Sequence, residues 1–231
     1  MRGIFVILII FCFTSTSIAQ ATGEDKFGTW ALYFGTNRVS EDFSLHTELQ
    51  LNHYEFFNNY NQFWAIVLLN YHLSDNVVVS GGYGYFNTDP TFLDVSGLKD
   101  IDENRLMEQI VVNQSLGKLN MQHRYRFEQR FLNTTNGTPT RHRFRYRLQL
   151  THPLSPKWFV NVFDEIFLNL QEPTFDQNRL FLALGYNLSE RVSVQTGYLK
   201  LHFTGRHYDR IQFVLNINTD FRKKQSETIE P

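Results

Sequence analysis

The sequence predicts an all-β fold, an antiparallel up-and-down transmembrane β-barrel of about 10–12 strands. Three observations lead to this prediction. Many segments alternate polar and apolar residues, most of them are longer than the usual globular strand of about 5–6 residues, and short turns alternate with longer polar connections. Because a tilted strand crosses a bilayer in roughly 9–11 residues, the segment length favours a membrane barrel over a soluble one.

Two neighbouring segments show the clearest alternation, residues 119–131 and 141–151. In the first, every second position is polar: Asn120, Gln122, Arg124, Arg126, Glu128 and Arg130. In the second, the alternating polar residues are Arg141, Arg143, Arg145, Arg147 and Gln149. Successive side chains of a strand point to opposite faces, so each segment has one apolar and one charged face. A helix would scatter the same arginines around its circumference, and both segments are therefore predicted as strands.

Nine further strands are predicted with varying clarity. They comprise residues 27–37, 43–54, 62–73, 77–86, 105–115, 157–169, 178–188, 191–203 and 211–221. The total is odd, whereas bacterial single-chain barrels favour even numbers. Either one strand is missed or merged, or the N-terminal segment with Trp30 passes through the lumen, and the sequence leaves this choice open.

The connections between these segments alternate in length. Short turns are predicted at residues 74–76, 116–118, 152–156 and 189–190, and longer loops at residues 87–103, 132–140, 171–177 and 204–208. Outer-membrane barrels combine short periplasmic turns with longer outer loops. The alternation therefore predicts both the barrel and its direction in the membrane.

The first 19 residues have the three-part pattern of a secretory signal, with a positive charge at Arg2, an apolar run and small residues up to Ala19. We expect residues 1–19 to be removed, residues 20–221 to form the barrel and residues 222–231 to be a polar tail. The single cysteine, Cys12, lies inside the apolar run. The predicted mature chain therefore has no disulfide, and strand pairing and burial must stabilise it.

Composition and charge narrow the classes of partner. The net charge of −1 gives no indication of a nucleic-acid partner, and no cofactor is predicted. The aromatic content of 16% is typical of membrane barrels, which place aromatic girdles at the headgroup level. We expect such girdles from residues near predicted strand ends: Trp30, Tyr54, Phe56, Phe57, Tyr60, Phe63, Trp64, Phe131 and Trp158.

A series of strand-face patterns runs through most of the predicted mature chain. It includes residues 27–30, Glu48 with Gln50, residues 103–105 with Gln109, residues 123–130, residues 143–147, Glu165 with Phe167, residues 177–179, and Gly197 with Tyr198. In this order the patterns resemble the family known as domain of unknown function 2490. The resemblance implies an outer-membrane barrel, many members being from Bacteroidetes-type bacteria, and it implies no catalytic residue.

The charged face of the two strands predicted at residues 119–131 and 141–151 is the candidate functional feature. We expect a lumen charge network of Glu48, Arg124, Arg126, Glu128, Arg143, Arg145, Arg147 and Glu165, joined by Arg130. An arginine on the lipid face near the bilayer midplane would destabilise the folded barrel by roughly 2–4 kcal/mol. The charged face is therefore predicted to point into the lumen. Like charges opposed on neighbouring strands are unfavourable, and acids such as Glu48 and Glu165 are expected to lie between the arginines.

The network allows several functional interpretations. The preferred one is an envelope protein whose narrow lumen is filled by ion pairs and water, and the main alternative is a small anion-selective pore. A lipid hydrolase or acyltransferase would require a Ser/His pair such as Ser44 and His46, with Asp164 or Asn161 orienting the histidine.

Two further alternatives carry less support. A metal site at His202, His207 and Asp209 lacks ligand spacing, and a soluble lipocalin-like barrel would place the aromatics in its core. The expected partners are outer-membrane lipid and, through the strand ending at Phe221, the barrel-assembly machinery. The sequence leaves the oligomeric state open.

Overall fold

A computed structural model describes residues 22–93 and 100–222. Its strands are β1 (Phe27–Arg38), β2 (Phe43–Glu55), β3 (Asn58–His72), β4 (Val77–Thr88), β5 (Ile101–Leu116), β6 (Leu119–Asn133), β7 (Thr140–Pro153), β8 (Trp158–Asn169), β9 (Phe175–Asn187), β10 (Val192–Phe203) and β11 (Arg206–Asp220). The predicted signal peptide, residues 1–19, lies outside the described residues, as does the predicted tail beyond Arg222. Each of the eleven predicted segments overlaps one of these strands.

The eleven strands close into one barrel in sequence order. Each consecutive pair is antiparallel, and β1 and β11 close the sheet as a parallel pair, in register from Phe27 opposite Asp209 to Arg38 opposite Asp220. The predicted all-β barrel is confirmed, and the expectation of an even strand number is wrong. With an odd number the first and last strands run in the same direction, and a parallel pair closes the sheet without an additional strand.

The N-terminal strand belongs to the barrel wall. It forms hydrogen-bonded ladders with both β2 and β11, so the alternative in which it passes through the lumen is wrong. Just before it, the Glu24 carboxylate accepts the backbone N–H of His207 at 2.7 Å, and this hydrogen bond holds the pKa of Glu24 below its usual value. The carbonyl of Lys26 accepts from Arg210 at 3.0 Å, which further ties this segment to β11.

The two ends of the barrel differ in their connections. One end, the turn end, carries residues 39–42, 73–76, 117–118, 154–157 and 188–191. The other, the loop end, carries residues 56–57, 89–93, 100, 134–139, 170–174 and 204–205. The predicted loop at residues 204–208 is therefore a two-residue turn. Gly205 has a φ of 77° there, as Gly117 has 60° at the turn end, and tight hairpin turns require such positive φ values.

Side-chain alternation gives the barrel a charged and partly apolar interior. On β6, Arg124, Arg126 and Glu128 are buried while Tyr125 between them is exposed. The other strands alternate in the same way, so that leucine side chains are exposed on the outer surface. No helix within the described ranges is long and apolar enough to span a membrane.

An apolar cluster also lies in the interior, and it corrects the aromatic prediction. The cluster comprises Trp30, Trp64, Ile66, Leu68, Phe86, Met107, Phe181, Ala183, Leu199, Leu201 and Tyr208. Trp30, Trp64 and Tyr54 are buried, so they are not girdle residues. Trp30 and Trp64 occupy inward positions of β1 and β3 and meet edge to face at 6.1 Å. Phe56, Phe57, Phe131 and Trp158 are exposed, as a girdle requires.

Candidate functional site

The structure places the predicted lumen network on four strands and directs its charges inward. Glu48 lies on β2, Arg124, Arg126 and Glu128 on β6, Arg143, Arg145 and Arg147 on β7, and Glu165 on β8. All eight are buried except Arg147, which is half-buried. The register sets Arg126 opposite Arg145 and Arg124 opposite Arg147, so like charges face each other across the ladder. Carboxylates must separate them.

Glu128 lies at the centre of the network. One of its oxygens accepts from Arg143 at 2.6 and 2.8 Å, and the other accepts from Arg145 at 2.6 Å. A third guanidinium, that of Arg105 on β5, lies 3.7 Å from the carboxylate. The Glu128 side chain has no exposed surface. Its carboxylate is therefore stabilised by the arginine side chains and not by water.

Two other carboxylates join strands that are not neighbours. Glu165 accepts from Arg124 at 2.7 Å and from Arg145 at 3.0 Å. Glu48 accepts from Arg126 at 2.7 Å, although β2 and β6 are separated by three strands in the sheet. This ion pair therefore crosses the lumen. The expectation that Glu48 and Glu165 lie between the arginines agrees with these contacts.

Sequence reasoning left several inward charges out of the network. Glu103 accepts two hydrogen bonds each from Arg105 and Arg130, at 2.6 and 2.9 Å, and Asp176 accepts from Arg143 at 2.7 Å. The alternation of β5 could have indicated Glu103 and Arg105, because they share a parity with Gln109. Asp176 offered no such signal, because it lies at the start of β9.

Some inward arginines have no carboxylate oxygen within 4.0 Å among the described residues. They include Arg147, which belongs to the predicted network, and Arg179 and Arg210, which do not. Arg147 donates to Gln122 at 2.9 Å and Arg179 to Gln177 at 3.1 Å. Arg210 donates to backbone carbonyls. The described interior therefore has more arginine charge than its carboxylates neutralise.

The two main cavities of the lumen meet at a layer of side chains near mid-height. We define this charged layer by the residues that line both cavities: Trp30, Glu48, Trp64, Arg145 and Arg179. The turn-end chamber has a volume of about 370 Å³ and the loop-end chamber about 330 Å³. A third cavity of about 250 Å³ lies between β2 and β6 on the turn-end side. The layer thus combines an ion-pairing carboxylate, two guanidinium groups and two indole rings.

The Ser/His arrangement differs from the predicted one. Ser44 lies 2.8 Å from Nε2 of His72, whereas His46 lies 3.0 Å from Thr36 and 3.5 Å from Glu48. Asn70 also donates to the Ser44 hydroxyl, at 3.1 Å. Ser44 has no exposed surface, and a nucleophile must be open to its substrate. This geometry gives no support to hydrolysis at Ser44.

The other predicted candidates for chemistry also lie apart. Asp164 points outward and accepts from Asn178 at 3.0 Å, while Asn161 points inward and donates to Gln195 at 2.8 Å. His202 faces His207 across the β10–β11 ladder, and Asp209 pairs with Lys200 at 3.0 Å. Across residues 22–93 and 100–222, no group of three or more His, Cys, Asp or Glu side chains could hold a metal ion.

Comparison with known proteins supplies a family. The sequence model described as "Protein of unknown function (DUF2490)" matches residues 27–212, which include all the lumen arginines named above. The chain belongs to this family. The predicted resemblance is therefore confirmed at the level of the family, and the description attaches no activity to it. No similar sequence is found among curated proteins.

Three solved structures of similar shape are distant from this chain in sequence. LpxR from Salmonella typhimurium is 10% identical with a TM-score of 0.46, and the match covers 79% of this chain and 85% of that one. A NanC porin is 11% identical with a TM-score of 0.46, covering 75% of this chain and 87% of that one. The siderophore receptor PirA from Pseudomonas aeruginosa is 11% identical with a TM-score of 0.35, covering 75% and 34%.

Proposed function

We propose that this protein is an outer-membrane β-barrel of the cell envelope whose lumen is closed at mid-height by the charged layer. One observation carries the proposal: the buried charges of the barrel point inward, and its outer surface is apolar. Buried charges such as Glu128 face the lumen, while large apolar side chains such as Leu69, Leu106 and Leu182 are exposed on the outer surface. A soluble barrel has the opposite distribution, whereas a membrane barrel needs this one.

Strand length supports the same proposal. The described strands have 12 to 16 residues, and roughly 9–11 are needed to cross a bilayer at a tilt. Export through the periplasm by the predicted signal peptide remains part of the proposal. So does recognition by the barrel-assembly machinery, for which β11 and the following Phe221 would be the signal. The Bacteroidetes-type origin stays a prediction from the resemblance.

Cell fractionation tests the location. We expect the protein to stay with the outer membrane after carbonate and high-salt washes. We also expect its folded form to migrate differently from the boiled form on a gel, as closed barrels do. Release by either wash, without a difference in migration, would instead support a soluble lipocalin-like barrel.

Planar-bilayer recording tests whether the lumen is closed. If the charged layer closes the lumen as proposed, the purified barrel should give no resolved conductance steps. Steps with anion-over-cation permeability would support the alternative of a small anion-selective pore, which the surplus of inward arginines also favours. In that case Arg145→Ser should reduce the anion preference, because Arg145 belongs to the charged layer.

A further inference from the structure

The turn-end chamber has the residues of a binding site for an anion. Four arginines line it, Arg124, Arg145, Arg147 and Arg179, but only two carboxylates, Glu48 and Glu165. Both carboxylates already have partners, since Glu165 accepts from Arg124 and Arg145, and Glu48 accepts from Arg126. Neither Arg147 nor Arg179 has a carboxylate oxygen within 4.0 Å among the described residues, and the charge of Glu165, which lies near both, is already shared with Arg124 and Arg145.

These two guanidinium groups contact neutral side chains. Arg147 donates to Gln122 and lies 5.5 Å from the ring centroid of Phe163. Arg179 donates to Gln177 and lies 4.9 Å from the ring centroid of Trp30. Amide and ring contacts orient a guanidinium group but do not neutralise it. Removing a cation from water without a counter-charge is unfavourable, so an anion in the chamber would be bound favourably.

Hydrogen-bonding capacity is also left over around the same chamber. Ten buried side-chain atoms of the described residues have no hydrogen-bond partner. Those on residues lining this chamber are the donors Trp30 Nε1, Trp64 Nε1, Arg124 Nε and Arg147 Nε, and the acceptors Gln50 Oε1 and Asn161 Oδ1. Buried polar atoms in native proteins nearly always have partners. Among these unpartnered atoms the donors outnumber the acceptors. An oxyanion would suit them, because all its oxygen atoms accept hydrogen bonds.

The other side chains that line the chamber indicate the size and polarity of the remainder of the ligand. Trp30, Trp64, Phe163 and Phe181 supply flat apolar surface, and a volume of about 370 Å³ falls at the lower end of small-molecule sites. The chamber reaches Thr36, close to the end of β1 at the turn end. We propose that the turn-end chamber binds a small organic anion, with its carboxylate or phosphate group held by Arg147 and Arg179 and its apolar body against the indole rings. The proposal goes beyond a closed structural barrel.

Tryptophan fluorescence can observe this site directly. The chain has three tryptophans: Trp30 and Trp64 line the chamber, and Trp158 lies exposed on the outer surface. In a Trp158→Phe protein all tryptophan emission therefore comes from the charged layer, which borders the turn-end chamber and also the loop-end chamber. We would titrate this protein, purified in detergent, with cyclohexanecarboxylate, acetate, inorganic phosphate and the neutral analogue cyclohexanecarboxamide, at constant ionic strength.

We expect a saturable change in emission with cyclohexanecarboxylate, weaker binding of acetate and no response to the carboxamide. A response to phosphate alone would assign the site to a phosphate group instead of a carboxylate. Arg147→Gln should weaken binding by about tenfold or more, because a charge-assisted hydrogen bond is lost, and Arg147→Lys should restore part of it. Arg179→Gln should act in the same direction.

Arg130→Gln is the matched control. It also removes one inward positive charge, but from the loop-end chamber, and it leaves Glu103 paired with Arg105. Gel migration before and after boiling would verify that each variant folds, and isothermal titration calorimetry would detect binding that leaves the emission unchanged. Absence of binding by both methods in a folded protein, or equal weakening by Arg147→Gln and Arg130→Gln, would overturn the proposal. Because the assay uses detergent, its result is independent of whether the membrane location is correct.

Discussion

At the scale of single residues, stability depends on carboxylates that are shared between arginines. Glu128 is the clearest case, because it accepts from Arg143 and Arg145 and has no exposed surface. Taking such charges out of water is costly, and removal of one partner leaves the others uncompensated. The network therefore contributes to stability only while it is complete, and single neutral substitutions should reveal this.

We expect Glu128→Gln to lower the free energy of unfolding by about 3–5 kcal/mol, since two guanidinium groups lose their shared counter-charge. Urea unfolding of the protein in lipid vesicles, followed by tryptophan emission, would measure the change. Glu190→Gln in an exposed turn is the matched control and should stay within about 0.5 kcal/mol of the parent protein. If both variants unfold like the parent, Glu128 is not a structural centre.

At the scale of the strands, the parallel pair of β1 and β11 decides whether the barrel is closed. Its register places Asn37 opposite Thr219, and the Thr219 hydroxyl donates to the Asn37 amide oxygen at 2.5 Å. Both side chains point to the outer face near the turn end. They are therefore suitable positions for a covalent test of the closure.

We expect Asn37→Cys and Thr219→Cys together to form a disulfide after mild oxidation, because neighbouring strands lie about 4.8 Å apart and disulfides span Cα distances of about 4.4–6.8 Å. A shift in mobility on a non-reducing gel would report the bond. The work would use a Cys12→Ser background, which has no other thiol. The pair Asn37→Cys and Leu215→Cys, offset by about 13 Å along the strand, should not react. Equal yields from the two pairs would contradict the register.

Substitutions on the outer face of β9 would test whether lipid or water surrounds the barrel. Leu182 at the middle of the strand and Leu188 just beyond its end are similarly exposed, at 55% and 59%. If the barrel spans a membrane, Leu182→Arg should cost roughly 2–4 kcal/mol of folding free energy and Leu188→Arg about 0–1 kcal/mol. Equilibrium folding into vesicles would measure both values. In water both substitutions would stay within about 0.5 kcal/mol, so equal small effects would contradict the membrane proposal.

At the scale of the whole molecule, the odd strand number places the start of β1 and the end of β11 at opposite ends of the barrel. The strand ends that the longest connection joins, Thr88 of β4 and Ile101 of β5, lie at the loop end, together with the start of β1. Long loops face outward in outer-membrane barrels. The loop end is therefore expected outside the cell and the turn end in the periplasm.

Labelling of intact cells would test this orientation. In the Cys12→Ser background, a membrane-impermeant maleimide should label Asp100→Cys at the loop end, whereas Glu190→Cys at the turn end should react only after the outer membrane is permeabilised. Labelling of lysed cells controls for the amount of each variant. The reverse pattern would show that the barrel is inserted in the opposite direction.

Much of the fold was predictable because strand alternation is local. A period of two residues is visible wherever one face is buried, and it located all eleven strands and the inward parity of Arg124 and Arg145. The loop at residues 204–208 was wrong because a two-residue turn depends on the backbone conformation at Gly205. The girdle positions of Trp30 and Trp64 were wrong because an interior tryptophan and an interfacial one can occupy the same kind of sequence position.

The sequence by itself determined the strands, their inner and outer faces and the presence of charge in the lumen, because these follow from neighbours along the chain. Only the tertiary structure decided the parallel closure of β1 with β11, the ion pair between Glu48 and Arg126, and which of the described arginines have no carboxylate oxygen within 4.0 Å. Those features depend on which strands meet around the barrel and which side chains reach across it. Such distances do not appear in the order of residues.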